Sequence, residues 1–210
     1  MATALEIRHL YSERDERVLF ADLSINLRPG EILQLAGPNG SGKTSLLRIL
    51  AGLSSRYEGD IDWCGQPLRH QWADYRQRML YFSHGSGIKP QLTAVENLRW
   101  SCAMRGQAVT DGEIYAALDR VGLGGFGQQA CYTLSAGQQR RVNLARLFCI
   151  DACFWLLDEP FTAIDLAGVA EIEHWIAEFA EGGGMVMLTT HHPLAIDRPV
   201  IRVDLGGGIS

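Results

Sequence analysis

The chain has 210 residues, 47% of them hydrophobic, with 19 Lys and Arg against 24 Asp and Glu for a net charge of -5. That length suits one α/β domain with a full core, and a second domain of the same size would not fit. The acidic balance argues against a general nucleic-acid-binding surface, which needs a basic stripe to neutralise phosphates.

The first ten residues alternate polar and apolar side chains and lack the continuous apolar core of a signal peptide. The longest strongly apolar run, 152–157, is too short to span a bilayer, so a role at a membrane requires a partner that does the spanning. Five cysteines without a Cys-x-x-Cys pair suit a reducing compartment, and Cys149 with Cys153 has no histidines at zinc-finger spacing.

Leu5 and Ile7, then Leu23, Ile25 and Leu27, alternate with polar neighbours and predict a small antiparallel region closed by Pro29-Gly30. Ile32-Leu33-Gln34-Leu35-Ala36 predicts a core strand. It runs into Gly37-Pro38-Asn39-Gly40-Ser41-Gly42-Lys43-Thr44, and residues 45–51 follow as a helix with Leu46, Leu47 and Leu50 on one face and Gly52 as its stop. Strand, glycine loop and helix in this order make a phosphate-binding loop. Its glycines let backbone N–H groups turn inward onto a phosphate, the helix start adds partial positive charge, Lys43 reaches the terminal phosphates and Thr44 offers a hydroxyl to magnesium.

Residues 59–65 form a further short alternating strand. From Thr93, which with Glu96 makes a capping-box pattern, the signals turn helical: Asp111 precedes Ile114, Tyr115, Leu118 and Val121 at helical spacing, and a helical insert is expected over roughly 90–150. Leu134-Ser135-Ala136-Gly137-Gln138 starts another helix, with Ser135 and Gln138 as its capping box and its N-terminus as a second anion site. On physics alone a capped helix start is more often structural than functional.

The runs at 152–157 and 185–190, separated by a helix carrying Ile172, Trp175, Ile176 and Phe179, predict two parallel core strands. The first delivers Asp158 and Glu159 to the carboxyl edge of the sheet, where ligands bind in open parallel sheets. There Asp158 would hold magnesium, directly or through water. Glu159 would polarise the attacking water, a role contributing on the order of 10² to 10⁴ in rate. The glycine run 206–208 is expected to fray.

Leu-Ser-x-Gly-Gln at 134–138, with the phosphate loop and Leu157-Asp158-Glu159-Pro160, resembles the signature set of the ATP-binding cassette (ABC) family, in order and over nearly the whole chain. The resemblance implies the ABC ATPase fold. That is an α/β P-loop NTPase core (1–85 and 151–210) with a parallel sheet and a small antiparallel β region, plus an α-helical signature subdomain at about 86–150. It also implies Mg2+ with ATP and a head-to-tail homodimer in which Ser135, Gly137 and Gln138 contact the γ-phosphate held by the other copy. Asp165 in Ala163-Ile164-Asp165 matches the loop that communicates across the dimer, and His191 matches the switch histidine that contacts the γ-phosphate.

Two positions depart from the family pattern. Gly85 stands where a magnesium-touching glutamine is usual, so that His84 or Gln91 substitutes or hydrolysis is weakly coupled. Arg14 stands near the adenine-stacking aromatic, with Tyr11 as the competing residue; a guanidinium can stack on a base.

Glu13-Arg14-Asp15-Glu16-Arg17, the stretch from Gly87 to Leu98, and Asp158 to Asp165 further resemble the ATP-binding subunits of bacterial cytochrome c maturation systems, a haem-exporter family. This implies a peripheral protein on the cytoplasmic face of the inner membrane, docked on integral membrane subunits through the region from Ser86 to Trp100, with Trp100 and Trp72 as apolar contacts. ATP hydrolysis would drive haem delivery or carrier release. No direct haem site is expected, since the chain has neither Cys-Pro nor Cys-x-x-Cys-His. A cassette for another cargo shares these motifs. A soluble cassette acting on DNA or ribosomes would carry basic arms or coiled-coil insertions, and a small-molecule kinase would not explain residues 134–141 or His191.

Overall fold

The computed structural model describes residues 5–85 and 87–205, so the glycine run at 206–208 and Ser86 lie outside the described residues. In chain order its elements begin with β1 (Leu5–Arg14), β2 (Arg17–Leu27), β3 (Ile32–Ala36), α1 (Lys43–Leu50), β4 (Glu58–Trp63), β5 (Gln66–Pro67), α2 (Trp72–Arg78) and β6 (Met79–Phe82). They continue with α3 (Ala94–Ala103), α4 (Asp111–Arg120), α5 (Ala136–Leu144), α6 (Arg146–Cys149), β7 (Phe154–Asp158), α7 (Leu166–Glu181), β8 (Met185–Thr189) and β9 (Val200–Asp204).

The chain divides into two compact units. Residues up to Tyr81, Ala152–Phe161 and those from Ala167 onward form one; Phe82–Asp151 with Thr162–Leu166 form the other.

The first unit holds both sheets. The antiparallel one runs β2-β1-β4-β5 and the larger one β6-β7-β8-β3-β9, in which β7 with β8, and β3 with both β8 and β9, pair in parallel. β1 and β2 form a longer hairpin than the alternation suggested. Asp15 and Glu16 both take left-handed backbone, φ 52 and 61, the twist a two-residue hairpin turn needs, although neither is glycine. β7 and β8 are buried at every residue, as expected of parallel strands covered on both faces.

Between the sheets and α1 lies the core. Leu46, Leu47 and Leu50 are fully buried, each adding about 1.5–3 kcal/mol of transfer energy. Trp63 meets Tyr75 edge-on at 4.9 Å between ring centroids. α1 stops as the sequence predicts: Gly52 takes φ 70, its N–H bonds to the Ile49 carbonyl at 2.9 Å and that of Leu53 to Arg48 at 2.8 Å, a Schellman closure. Trp72 fills the space a side chain at Gly52 would need, since an added Cβ would fall 1.8 Å from its ring. Its indole is used in packing.

The second unit is a cluster of short helices. Thr93 with Glu96, Thr110 with Glu113 and Ser135 with Gln138 form complete capping boxes at the starts of α3, α4 and α5. Buried Asn97 accepts from the Lys89 N–H at 2.7 Å and donates to the carbonyls of Lys89 and Thr93, both at 3.0 Å, fixing the loop that enters α3.

Candidate functional site

The phosphate loop is built for an anion. Gly37, Gly40 and Gly42 all have positive φ, at 129, 79 and 98. A Cβ on Gly42 would come 2.9 Å from the Leu19 Cβ, so only glycine fits without rearrangement. α1 begins at Gly42 with no side-chain cap, which leaves its first N–H groups free of local acceptors. The Ser41 hydroxyl is buried and has no hydrogen-bond partner, a polar atom that a phosphate oxygen would satisfy. Lys43 is buried, 7% exposed, and its ammonium donates to the carbonyls of Gly37 at 2.7 Å and Pro38 at 3.0 Å. Phosphate oxygens are stronger acceptors for the same cation.

Asp158 ends β7 directly beside Thr189 on β8. Its Oδ1 accepts from the Thr44 hydroxyl at 3.0 Å and the Thr189 hydroxyl at 2.8 Å, and its Oδ2 accepts from the Tyr81 phenol at 3.4 Å. Three hydroxyls around one buried carboxylate fix its rotamer. Burial first, and then the charge of Asp158, push the Tyr81 phenol up to about 12, so it remains a donor. The oxygen-only grouping of Thr44 and Asp158 next to a phosphate loop suits a hard divalent cation.

Glu159 carries the next carboxylate at φ 50, and its N–H bonds to the Thr189 hydroxyl at 3.0 Å and carbonyl at 3.2 Å. This left-handed residue turns its side chain to within 3.5 Å of the His191 Nε2. The loop carrying His191 is held from behind by Glu173 on α7, a buried carboxylate accepting from the Ala195 N–H at 2.7 Å.

Arg14 lines a cavity of about 440 Å³ together with Thr44, Ser45, Leu19 and Arg48. Its guanidinium pairs with Asp15 at 3.3 Å. Tyr11 donates to Glu13 at 2.8 Å and lines a neighbouring cavity, which lacks phosphate-loop residues.

In the helical unit the Ser135 hydroxyl accepts from the Gln138 N–H at 3.2 Å while the Gln138 amide oxygen accepts from the Ser135 N–H at 2.9 Å. The hydroxyl hydrogen of Ser135 is not used by this cap. Gly137 has no Cβ to cover the helix start, and Asp165, 76% exposed, lies 3.7 Å from Arg141 on the same helix. Arg140 is buried; it stacks on Phe82 and donates to the carbonyls of Ser83 at 3.2 Å and His84 at 3.0 Å, anchoring the segment that carries Gly85.

Five of these contributors escape sequence reasoning: Tyr81, Thr189, Glu173, Arg140 and Arg17, whose guanidinium lies 3.4 Å from the position of a Cβ on Gly40. Only the left-over cation of Arg17, in the charged run 13–17, left any signal in the string.

The chain is 48% identical over 198 residues to the cytochrome c biogenesis ATP-binding export protein CcmA of Saccharophagus degradans, covering 90% of this chain and 88% of that one. It is 51% identical over 194 residues to the protein of that name from Pseudomonas putida, covering 92% of each. An ABC transporter ATP-binding protein from Pyrococcus furiosus superposes with a TM-score of 0.83 at 25% identity, over 96% of this chain and 97% of that one. A dimeric ATP-binding cassette in a post-hydrolysis state, bound to ADP and Pi, gives the same score at 22% identity, over 96% and 95%, a likeness of fold. Residues 20–162 match the ABC transporter family profile, and with the α/β core, antiparallel sheet and helical unit in place, the chain belongs to the ABC transporter family as an ATP-binding subunit.

Proposed function

We infer that this protein is the ATP-hydrolysing subunit of an export complex for cytochrome c biogenesis, powering haem export or release of a haem-loaded carrier through integral membrane partners. The observation that carries the reading is the gathering of Thr44, Thr189 and Tyr81 onto Asp158 beside the phosphate loop, in a chain about half identical to proteins named for that process.

The N–H groups of residues 38–43 and the start of α1 wrap the phosphates, and Lys43 exchanges its carbonyl partners for β- and γ-phosphate oxygens. Thr44 and Asp158 are the residues to hold Mg2+, which when bound neutralises charge on those phosphates. Glu159 orients the attacking water and takes its proton, while His191, next to that carboxylate, reaches the γ-phosphate. Arg14, rather than Tyr11, meets the base, because its cavity also contains Thr44 and Ser45. From a second copy, Ser135, Gly137 and Gln138 complete the γ-phosphate site, and Asp165 carries the signal between copies. ATP hydrolysis therefore needs the homodimer.

No helix among the described residues is long and apolar enough to cross a membrane, which suits a peripheral subunit on the cytoplasmic face of the inner membrane. Trp100, 41% exposed under the Lys89 ammonium, and Met104, 67% exposed, offer the apolar face for docking. No haem site is assigned to this chain.

The test is reconstitution with the haem-handling membrane subunits. ATP turnover should rise on assembly, and Trp100→Ala should weaken capture of the complex while leaving ATP binding unchanged. Turnover indifferent to those subunits overturns the assignment.

A further inference from the structure

The helical unit contains a pair of thiols that the nucleotide chemistry does not use. Cys102, near the end of α3, is fully buried, and Cys149, a partly buried residue, closes α6. Forty-seven positions apart in the chain, their sulfurs lie 3.8 Å from one another, and the Cys102 thiol also lies 3.4 Å from the Cys149 carbonyl. At that separation the sulfurs are in contact but not bonded, since a disulfide bond is about 2.05 Å long.

The surroundings favour sulfur chemistry at this pair. Arg146, three residues before Cys149, donates from Nη1 to Asn143 at 3.0 Å, while its buried Nε has no hydrogen-bond partner. The charge of Arg105 also acts on the Cys102 sulfur. Two guanidinium groups near two sulfurs create a positive field that stabilises a thiolate. The hydrogen bond between the two sulfurs lowers the Cys102 thiol, helped by the charges of Arg146 and Arg105, whereas that same bond and burial push Cys149 up. Cys131, also buried, accepts a hydrogen bond from Asn97 at 3.3 Å and belongs to the loop that Asn97 organises.

We propose that Cys102 and Cys149 form a reversible disulfide that fastens α3 to α6, with a low-molecular-weight disulfide as the oxidant. Cys149, the less buried member, passes its proton to the Cys102 sulfur beside it and attacks one sulfur of the oxidant as a thiolate, giving a mixed disulfide and a released small thiolate that takes the proton from Cys102. The Cys102 thiolate then attacks the Cys149 sulfur and expels the second thiol. Two protein thiols and one small disulfide become one protein disulfide and two small thiols, so electrons and protons balance. The two positions divide the labour: one is reachable, and the other is buried and ionisable.

The bond would close a loop of nearly fifty residues that includes the start of α5, the helix tip carrying Ser135 and Gly137. A clip across so long a loop removes open states of the helical unit, and amide exchange in α3 and α6 should slow by about tenfold or more on oxidation.

The experiment treats the full-length native protein with glutathione disulfide, blocks remaining thiols with a maleimide after denaturation, and maps peptides by mass. The expected result is a cross-linked Cys102 and Cys149 pair, lighter by two hydrogens, with Cys64, Cys131 and Cys153 alkylated and the link reversed by dithiothreitol. Cys102→Ala should stop at a stable glutathione adduct on Cys149, and Cys149→Ser should leave Cys102 unmodified. In the unsubstituted protein, a stable glutathione adduct on Cys149 beside an alkylated Cys102, or recovery of both as free thiols, overturns the proposal. Since the readout on the unsubstituted chain decides the matter, poor folding of either variant does not obscure it, and the result is independent of ATP turnover.

Discussion

Asp158, 1% exposed, receives hydroxyls from three elements of its own unit, whereas Ser135, exposed at the start of α5, has a side chain bonded only within its own capping box. On the function proposed above, the contrast separates chemistry completed within one chain from chemistry left for a second. A buried carboxylate needs partners at hand, because an unsatisfied charge in the interior is costly. A helix tip that is to meet another molecule's phosphate, as proposed for α5, must stay exposed and keep a donor in reserve. The nucleotide unit therefore shows its use in its contacts, and the helical unit shows it in what its contacts leave over.

This difference has a mutational signature. The largest expected effect is that of Glu159→Gln, which should lower turnover on the order of 10² to 10⁴ while ATP still binds, and should collect ATP-bound dimers in sedimentation; undiminished turnover would remove Glu159 as the base. Lys43→Ala should weaken ATP binding by a single chain about 10- to 100-fold, the range for a hydrogen-bonded charge, measured by titration calorimetry. Ser135→Ala should behave in the opposite way. It should leave single-chain ATP affinity intact and cost about 1 kcal/mol of stability from the lost cap, while turnover in the dimer falls. If Ser135→Ala weakened binding to the isolated chain as Lys43→Ala does, the division between the two units would fail.

Two smaller effects sharpen the same contrast. Restoring the usual side chain with Gly85→Gln should raise turnover stimulated by the membrane subunits; an unchanged rate and unchanged coupling would make the absent glutamine irrelevant. Tyr81→Phe should leave neutral-pH turnover nearly unaltered but change the alkaline limb of stability. Folding raises this phenol from 10.0 to about 12. Its contribution is therefore complete below the unfolded value and lost as pH climbs through the folded one, and the variant should lack that loss in melting curves taken between the two.

The strand, glycine loop and helix at 32–52 were legible because each of their signals is local: an apolar run, a loop spacing and a stop glycine. The capping boxes at Thr93 and Ser135 were legible for the same reason. Thr189 and Tyr81 were not, because they reach Asp158 across 31 and 77 residues of chain, through the strand order β6-β7-β8, which no window of sequence contains. The hairpin turn at Asp15 and Glu16 escaped because left-handed backbone there is imposed by the flanking strands rather than announced by glycine. Glu159 is similar: its left-handed φ is set by two bonds to Thr189, although its place after an apolar run was plain.

That hairpin tip also acts as a ruler. Arg14 faces Arg17 across it, one lining the cavity beside Thr44 and the other standing over Gly40. Because successive strand residues alternate sides, a slip of one residue in the pairing of β1 with β2 would send one of these arginines to the opposite face. On the proposed placing of Arg14 at the base, the reach of this arm is thus counted in whole residues.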